Sequence, residues 1–271
     1  MPYRDHSLEQ KYRMPRHFGP APGPRNLPAD QRHRRYEKEL VSYVVSASTD
    51  AERLRTFLPD GLALDGEPRI EVCIMSFRKI GWLAGRGYDI LMVRIPVQWI
   101  EDDMKCAGHF VPVVWENMAD PIITGREELG WPKIFADISV SDPAEGNAQA
   151  AASWDGHCFF GFGACGFKPV VRLPAAKPMV FEKYIPATGK PNSLDAHYLT
   201  VTALDGPEPQ VQSVKVGQGW FAFNSATWEQ MPTQYPIVNA LADLSLSNFS
   251  HVTKTASTLG GDGSGQRKLI L

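Results

Sequence analysis

The chain has 271 residues, 43% hydrophobic and 21% charged, with 28 Lys and Arg against 30 Asp and Glu. This profile is that of a soluble globular protein and excludes global disorder, collagen-like repeats and a coiled coil, and a formal charge of −2 gives no general pull toward nucleic acid or an anionic membrane. The longest apolar runs, IVNALADL and CFFGFGACGF, fall short of the ~20 residues that span a bilayer, and the N-terminus lacks the apolar stretch of a secretory signal, so a cytoplasmic protein is expected.

Residues 1–36 read as a Pro/Arg-rich arm. Pro15, Pro20, Pro22, Pro24 and Pro28 oppose helix and central strand there. Gln31 to Arg35 form a basic cluster, but aromatic residues are too sparse for a nucleic-acid-binding arm. A solvated or partner-wrapping extension is expected. Glu39 to Ser48, rich in Val and Tyr, reads as a strand. Thr49 then caps a short helix over Asp50–Leu58, ended by Pro59-Asp60-Gly61. Further strands are expected over 69–77, 88–99, 106–116, 134–142, 148–154, 157–163, 196–204 and 211–223, most of them bounded by Gly, Pro, Asn or Asp. Residues 118–129 have mixed helical character. Thr233 to Leu244 reads as a helix with Pro236 in its first turn. A last strand is expected over 246–255, followed by a tail that opens flexible and ends apolar.

About ten strands and two or three short helices make an α+β, mainly β domain, as a barrel or a double-layered sheet. The simplest division is an arm over 1–36, one domain over 37–258 and a tail over 259–271. Cys73, Cys106, Cys158 and Cys165 have no metal-binding spacing and are expected as thiols packed in the interior.

Several chemical templates are absent: no GxGxxG after a strand, no GxxxxGK[ST], no GxSxG and no HExxH. His109 and His157 are isolated, and GFGACG at 161–166 reads as a bulged strand. The segment Trp115 to Asp137, WENMADPIITGREELGWPKIFAD, sets charge among apolar residues. Lys133 is flanked by Trp131, Pro132, Ile134 and Phe135. Burial lowers a lysine's pKa, and a neutral amine is a nucleophile toward a ketone or aldehyde, forming an imine. On composition alone the alternative is a snorkelling surface lysine, with Arg126 and Glu127 as a structural ion pair.

GREELGWPKIFAD resembles the GRE-x4-PK motif of the acetoacetate decarboxylase family. WENMADPIIT is similar to the lead-in those proteins carry, HFGPAPGPR at 17–25 to their Pro/Gly-rich start, and STDAERLRTFLPDGLAL at 48–64 with RIEVCIM at 69–75 to their first strand–helix–strand unit. The resemblance spans roughly 17 to 255. It implies an acetoacetate decarboxylase-like fold, a closed cone-shaped antiparallel β-barrel with a few short helices, and assembly into homo-oligomers. It also implies an imine-forming role for Lys133 and an active-site glutamate at Glu71. Three positions depart from the family pattern. Ile134 stands where decarboxylases carry a second lysine, Leu40 or its neighbours where they carry an arginine, and Ile90, next to Asp89, where a glutamate is expected.

The expected function is that of a lyase acting on a small keto acid through Lys133, by decarboxylation of a β-keto acid. The alternatives are aldol and dehydration chemistry on a 2-oxo acid with the same lysine, and a non-catalytic small-molecule-binding barrel. Glu71 is the candidate proton shuttle or positioning group, Arg126 a candidate for attracting the substrate carboxylate, and Glu127 a candidate for pairing with Arg126 or orienting it. Trp131 and Phe135 would supply desolvation. No metal or organic cofactor is required, and neither nucleic acid nor membrane is expected as a partner.

Overall fold

The computed structural model describes residues 12–143, 146–171, 175–202, 204 and 207–269. The first eleven residues of the expected arm, residue 203 in the expected strand over 196–204, and the last two residues of the tail lie outside the described residues.

Fourteen strands carry the fold: β1 Glu39–Ser48, β2 Ala63–Leu64, β3 Arg69–Arg78, β4 Tyr88–Glu101, β5 Met104–Glu116, β6 Lys133–Phe135, β7 Asp137–Ser141, β8 Ala148–Trp154, β9 His157–Pro169, β10 Met179–Pro186, β11 Leu194–Thr202, β12 Gln210–Phe223, β13 Val252–Thr258 and β14 Gln266–Lys268. Three short helices accompany them: α1 Ala51–Arg55, α2 Ala119–Thr124 and α3 Tyr235–Ala242. None among the described residues is long and apolar enough to cross a membrane. Hairpin turns follow from the chain. β4 and β5 join through Asp102-Asp103, and β8 and β9 through Asp155-Gly156, both pairs at positive φ. A two-residue connection with both residues left-handed matches strand twist, and Asp and Gly tolerate it best.

The mainly-β α+β class stands, but the sheet is not a closed antiparallel barrel. Its hydrogen-bonded path runs β14-β11-β10-β5-β4-β3-β1-β13-β12-β9-β8-β7, with β2 on β4 and β6 on β5, and ends at two free edges. It is also mixed, because β10 and β6 both run parallel to β5. β5 pairs with β4 on one side and divides its other edge between β10 at His109 and Phe110 and β6 at Val114 to Glu116. Parallel neighbours need crossovers rather than tight turns. Here α2 and the turn after it carry the chain from β5 back to β6.

Other expectations shift with the backbone. Asp50, not Thr49, caps α1: its side chain accepts from the Glu52 and Arg53 amides. The strand expected over 134–142 is two, β6 and β7, parted at Ala136, whose N–H goes to the Glu116 carbonyl. The Met179–Pro186 strand had no counterpart in the sequence reading, the strand expected over 246–255 is β13 and begins at Val252, and β14 follows it within the expected tail. The arm holds two 3-10 turns, Arg16–Phe18 and Ala29–Arg34. Only Cys73 of the four thiols is buried; Cys158 and Cys165 are exposed, and all four are free.

Strand alternation sorts the interior into two clusters. Ile74, Leu91, Val93 and Trp115 join a large core with Tyr43, Phe159, Phe160 and Phe221. Their neighbours Cys73, Ile90, Met92 and Val114 face the other way and form a second cluster with Val111 and Phe181.

Candidate active site

The second cluster borders the segment that carries the lysine. β5 ends on Glu116, α2 begins at Ala119, and the helix widens into a π-turn over Gly125–Leu129. Such turns interrupt regular helix and recur at functional sites. Gly130 closes the turn at φ +79°, a left-handed position suited to glycine, where a Cβ would also lie 2.8 Å from the Lys183 Cβ. Trp131 and Pro132 lead into β6, and the Val114 amide donates to the Pro132 carbonyl. Arg126 donates from Nη1 to the Lys133 carbonyl at 3.0 Å. The start of β6 is therefore tied from both sides.

This brings Lys133 inside. The residue is 5% exposed. Its Nζ lies 2.7 Å from Glu116 Oε1, donates to the Pro121 carbonyl at 3.2 Å, and sits 4.8 Å from the centre of the Trp131 ring. Trp131 in turn stacks on Phe181, centroids 4.5 Å apart. Gly125 makes room for the stem: a Cβ there would fall 2.4 Å from Lys133 Cδ. Glu116 is fully buried, and its Oε2 has no donor among the described residues. Burial pushes the Glu116 carboxyl above its ordinary range, against the pull of the Lys133 charge.

Lys133 lines a cavity of about 280 Å³, near the lower end of the ~300–1,000 Å³ usual for ligand sites. Its lining is largely apolar: Met75, Phe77, Ile90 and Met92, with Trp131 and Met179. Tyr88 is part of the same lining, and burial raises its phenol well above the ordinary value. The rim is made by the two ends of the chain. Arg25 of the arm gives Nε to Glu128 at 2.7 Å and Nη1 to the Asp262 carbonyl at 2.5 Å. Arg35 pairs with the Asp262 carboxylate, and Lys38 donates to the Gly261 carbonyl. Burial lowers the Lys38 pKa, opposed by Asp262. The tail expected to open flexible thus borders the cavity, and the arm expected to be solvated packs on its own chain.

The residues singled out from sequence separate. Lys133 and Trp131 share the cavity. Glu71 does not line it. Its carboxylate is 2.5 Å from Arg94 Nη2, so Arg94, which does line it, stands between; the carboxylate at the lysine is Glu116. Arg126 is turned to the Lys133 carbonyl and makes no ion pair with Glu127 among the described residues. The ion pairs of this segment go to Glu128, from Arg13 and Arg25. Glu127 contributes its backbone carbonyl, which accepts from Lys183 Nζ. Phe135 is 44% exposed and forms no part of the cavity.

The departures from the family pattern have clear places too. Ile134 packs against the large core. Ile90 is a cavity wall, and the residue paired with it across the β4–β5 ladder is Glu116. Asp89 faces away, held by Ser76 and Asn117. Glu116 was legible only as a charge ending the apolar run FVPVVW; its direction depends on strand register.

The family model described as acetoacetate decarboxylase matches residues 13–256. Among solved structures, acetoacetate decarboxylase from Legionella pneumophila is similar at TM-score 0.67 and 17% identity, covering 87% of this chain and 86% of that one. An acetoacetate decarboxylase-like enzyme from Sphingomonas wittichii RW1 is similar at TM-score 0.67 and 18% identity, covering 87% and 93%. The enduracididine biosynthesis enzyme MppR, complexed with pyruvate, is similar at TM-score 0.64 and 18% identity, covering 86% and 90%. No curated protein matches the sequence. With most of its length accounted for by one family model, and with that family's fold, this chain belongs to the acetoacetate decarboxylase family.

Proposed function

We propose that the chain is a lyase that binds a small keto acid covalently through Lys133 and decarboxylates it. The observation that supports this most directly is an amine and a carboxylate enclosed together at an apolar cavity: Lys133 Nζ, 2.7 Å from a fully buried Glu116. Glu116, pushed up by burial, is suited to take a proton from Nζ. The free nitrogen pair then attacks the keto carbon, and the carbonyl oxygen becomes a hydroxyl. Return of a proton to that hydroxyl expels water and leaves a protonated imine. In a β-keto acid the electrons of the bond to the carboxylate flow into the imine as CO2 departs, giving an enamine. Protonation at carbon and addition of water release the ketone and the amine. Trp131 and the apolar wall exclude water from these charged intermediates.

A second reading keeps every step to the enamine but lets it attack an aldehyde, with aldol addition and dehydration following. Ile90 and Ile134 favour it, because two positions where the family's decarboxylases carry polar groups are here a cavity wall and a core contact.

Cyanoborohydride with a panel of β-keto and 2-oxo acids is expected to reduce the imine and label Lys133, with Lys133→Ala unlabelled, inactive and folded. No adduct across the panel, or unchanged turnover in Lys133→Ala, overturns the proposal and leaves a non-catalytic small-molecule-binding protein. Release of CO2 against formation of a larger product decides between the two chemistries.

A further inference from the structure

Five cationic side chains line the cavity, all of them engaged, and in four no buried nitrogen lacks a partner among the described residues. Lys133 is held by Glu116 and the Pro121 carbonyl, Lys38 by the Gly261 carbonyl, Arg94 by Glu71, and Arg35 by Asp262 and Ser264. Arg25 differs. Its side chain is 7% exposed, and Nε and Nη1 are fixed by Glu128 and the Asp262 carbonyl. Its Nη2 is fully buried and has no hydrogen-bond partner among the described residues. Two further buried donors on the same cavity are in the same condition, Thr124 Oγ1 and Trp131 Nε1. Buried donors are seldom left unpaired, because removal from water without a partner is costly. Three of them on one small cavity mark a place for acceptor atoms from outside the chain.

We propose that Arg25 is the carboxylate-binding residue of this cavity, and that its ligand is an oxo acid with an apolar body. Of the three donors Arg25 alone carries a full charge, and a guanidinium nitrogen to a carboxylate is the stronger kind of hydrogen bond. The fork is already held on two sides, so little side-chain freedom is lost when a ligand arrives. The apolar body lies on Met75, Phe77, Ile90 and Met92. Thr124, next in the chain to the Gly125 against which the Lys133 stem packs, and Trp131, whose ring faces Nζ, supply donors to the carbonyl oxygen. That last placement rests on the imine chemistry proposed for Lys133; the carboxylate and the apolar body do not.

Hexanoate tests the two apart, because it has the carboxylate and the body but no carbonyl to form an imine. Calorimetry with the full chain is expected to show hexanoate binding and no hexanamide binding. Arg25→Gln is expected to weaken hexanoate on the order of tenfold or more, and Arg25→Lys, which keeps the charge without the fork, severalfold. Arg13→Ala loosens the arm on the same Glu128 without removing a cavity donor, and is expected to stay within about twofold of the parent chain. Absence of hexanoate binding, or equal binding by Arg25→Gln, overturns the proposal. If Arg25→Gln does not fold, Arg25→Lys decides, and undiminished affinity there overturns it. In parallel, cyanoborohydride trapping of 2-oxohexanoate should fall in Arg25→Gln while trapping of 2-hexanone is unchanged. Arg25-dependent hexanoate binding with no adduct from either carbonyl compound removes the Lys133 reading and keeps this one. Adducts insensitive to Arg25 do the reverse.

Discussion

Leu91 and Met92 are adjacent on β4 and equally buried, yet they serve different compartments. Leu91 joins a core in which Trp115, Phe159, Phe160 and Phe223 fill the space with tilted ring contacts. Met92 faces a space left open, together with a buried ion pair and three arginines. The same strands supply both faces, one packed solid and one shaped around a void. The packed face makes the strands stiff, and stiffness on that side lets the other hold Lys133 and Glu116 in contact without a filled interior between them.

The contrast is broken most severely at Glu116. Glu116→Gln keeps the shape and removes the proposed proton acceptor, and adduct formation by Lys133 is expected to slow by ~10²–10⁴-fold, measured by single-turnover trapping. The pH dependence carries a sign as well. Burial raises the Glu116 pKa, and the protonated acid cannot accept from Nζ, so the rate should climb with pH through a midpoint above the ordinary ~4.3 of a glutamate; Glu116→Gln should flatten that limb.

Next in size is the pair Leu91→Ala and Met92→Ala. Urea denaturation is expected to show a loss of about 3–4 kcal/mol at Leu91, where a cavity opens in a filled core, but only about 2 kcal/mol at Met92, whose side chain already borders a void. Met92→Ala should in exchange accept longer-chained ligands. Equal losses at both would mean that the open side is packed as tightly as the core.

The smallest effect sharpens the far end of the open face. His109 on β5 approaches Glu71 at 3.7 Å, and burial, with Arg94 adding repulsion, holds it down to about 4. Between about pH 6.5 and 4 the unfolded chain therefore takes up a proton that the folded chain refuses, and stability falls with acidification through that window. The drop is at most about 3 kcal/mol, and denaturation midpoints of His109→Asn across the same range should lack it.

Much of this was legible in the amino-acid order because it is local. The β1 strand, α3 and the hairpin strands follow from side-chain alternation and turn residues, and Lys133 follows from a contiguous motif. What was hidden is non-local. Glu71 was read as a proton shuttle or positioning group at the lysine, and the β3–β4 register sets it opposite Arg94. Glu116 was overlooked because only the pairing of Ile90 with Glu116 shows that the carboxylate shares the face that carries the cavity. Phe135, two residues from Lys133, was read as a cover for it and is instead exposed. The expected antiparallel barrel failed at the parallel seating of β6 and β10 on β5 and at the unjoined edges β14 and β7, which no periodicity of those short segments could announce.

The contact of Arg25 with Asp262 joins positions 237 residues apart. The doorway of the chamber is therefore held by segments remote in sequence from the one that carries its amine and acid, and its closure is set by a contact separate from theirs. A substitution in the glycine-rich loop around Asp262 would loosen that doorway without touching Lys133 or Glu116.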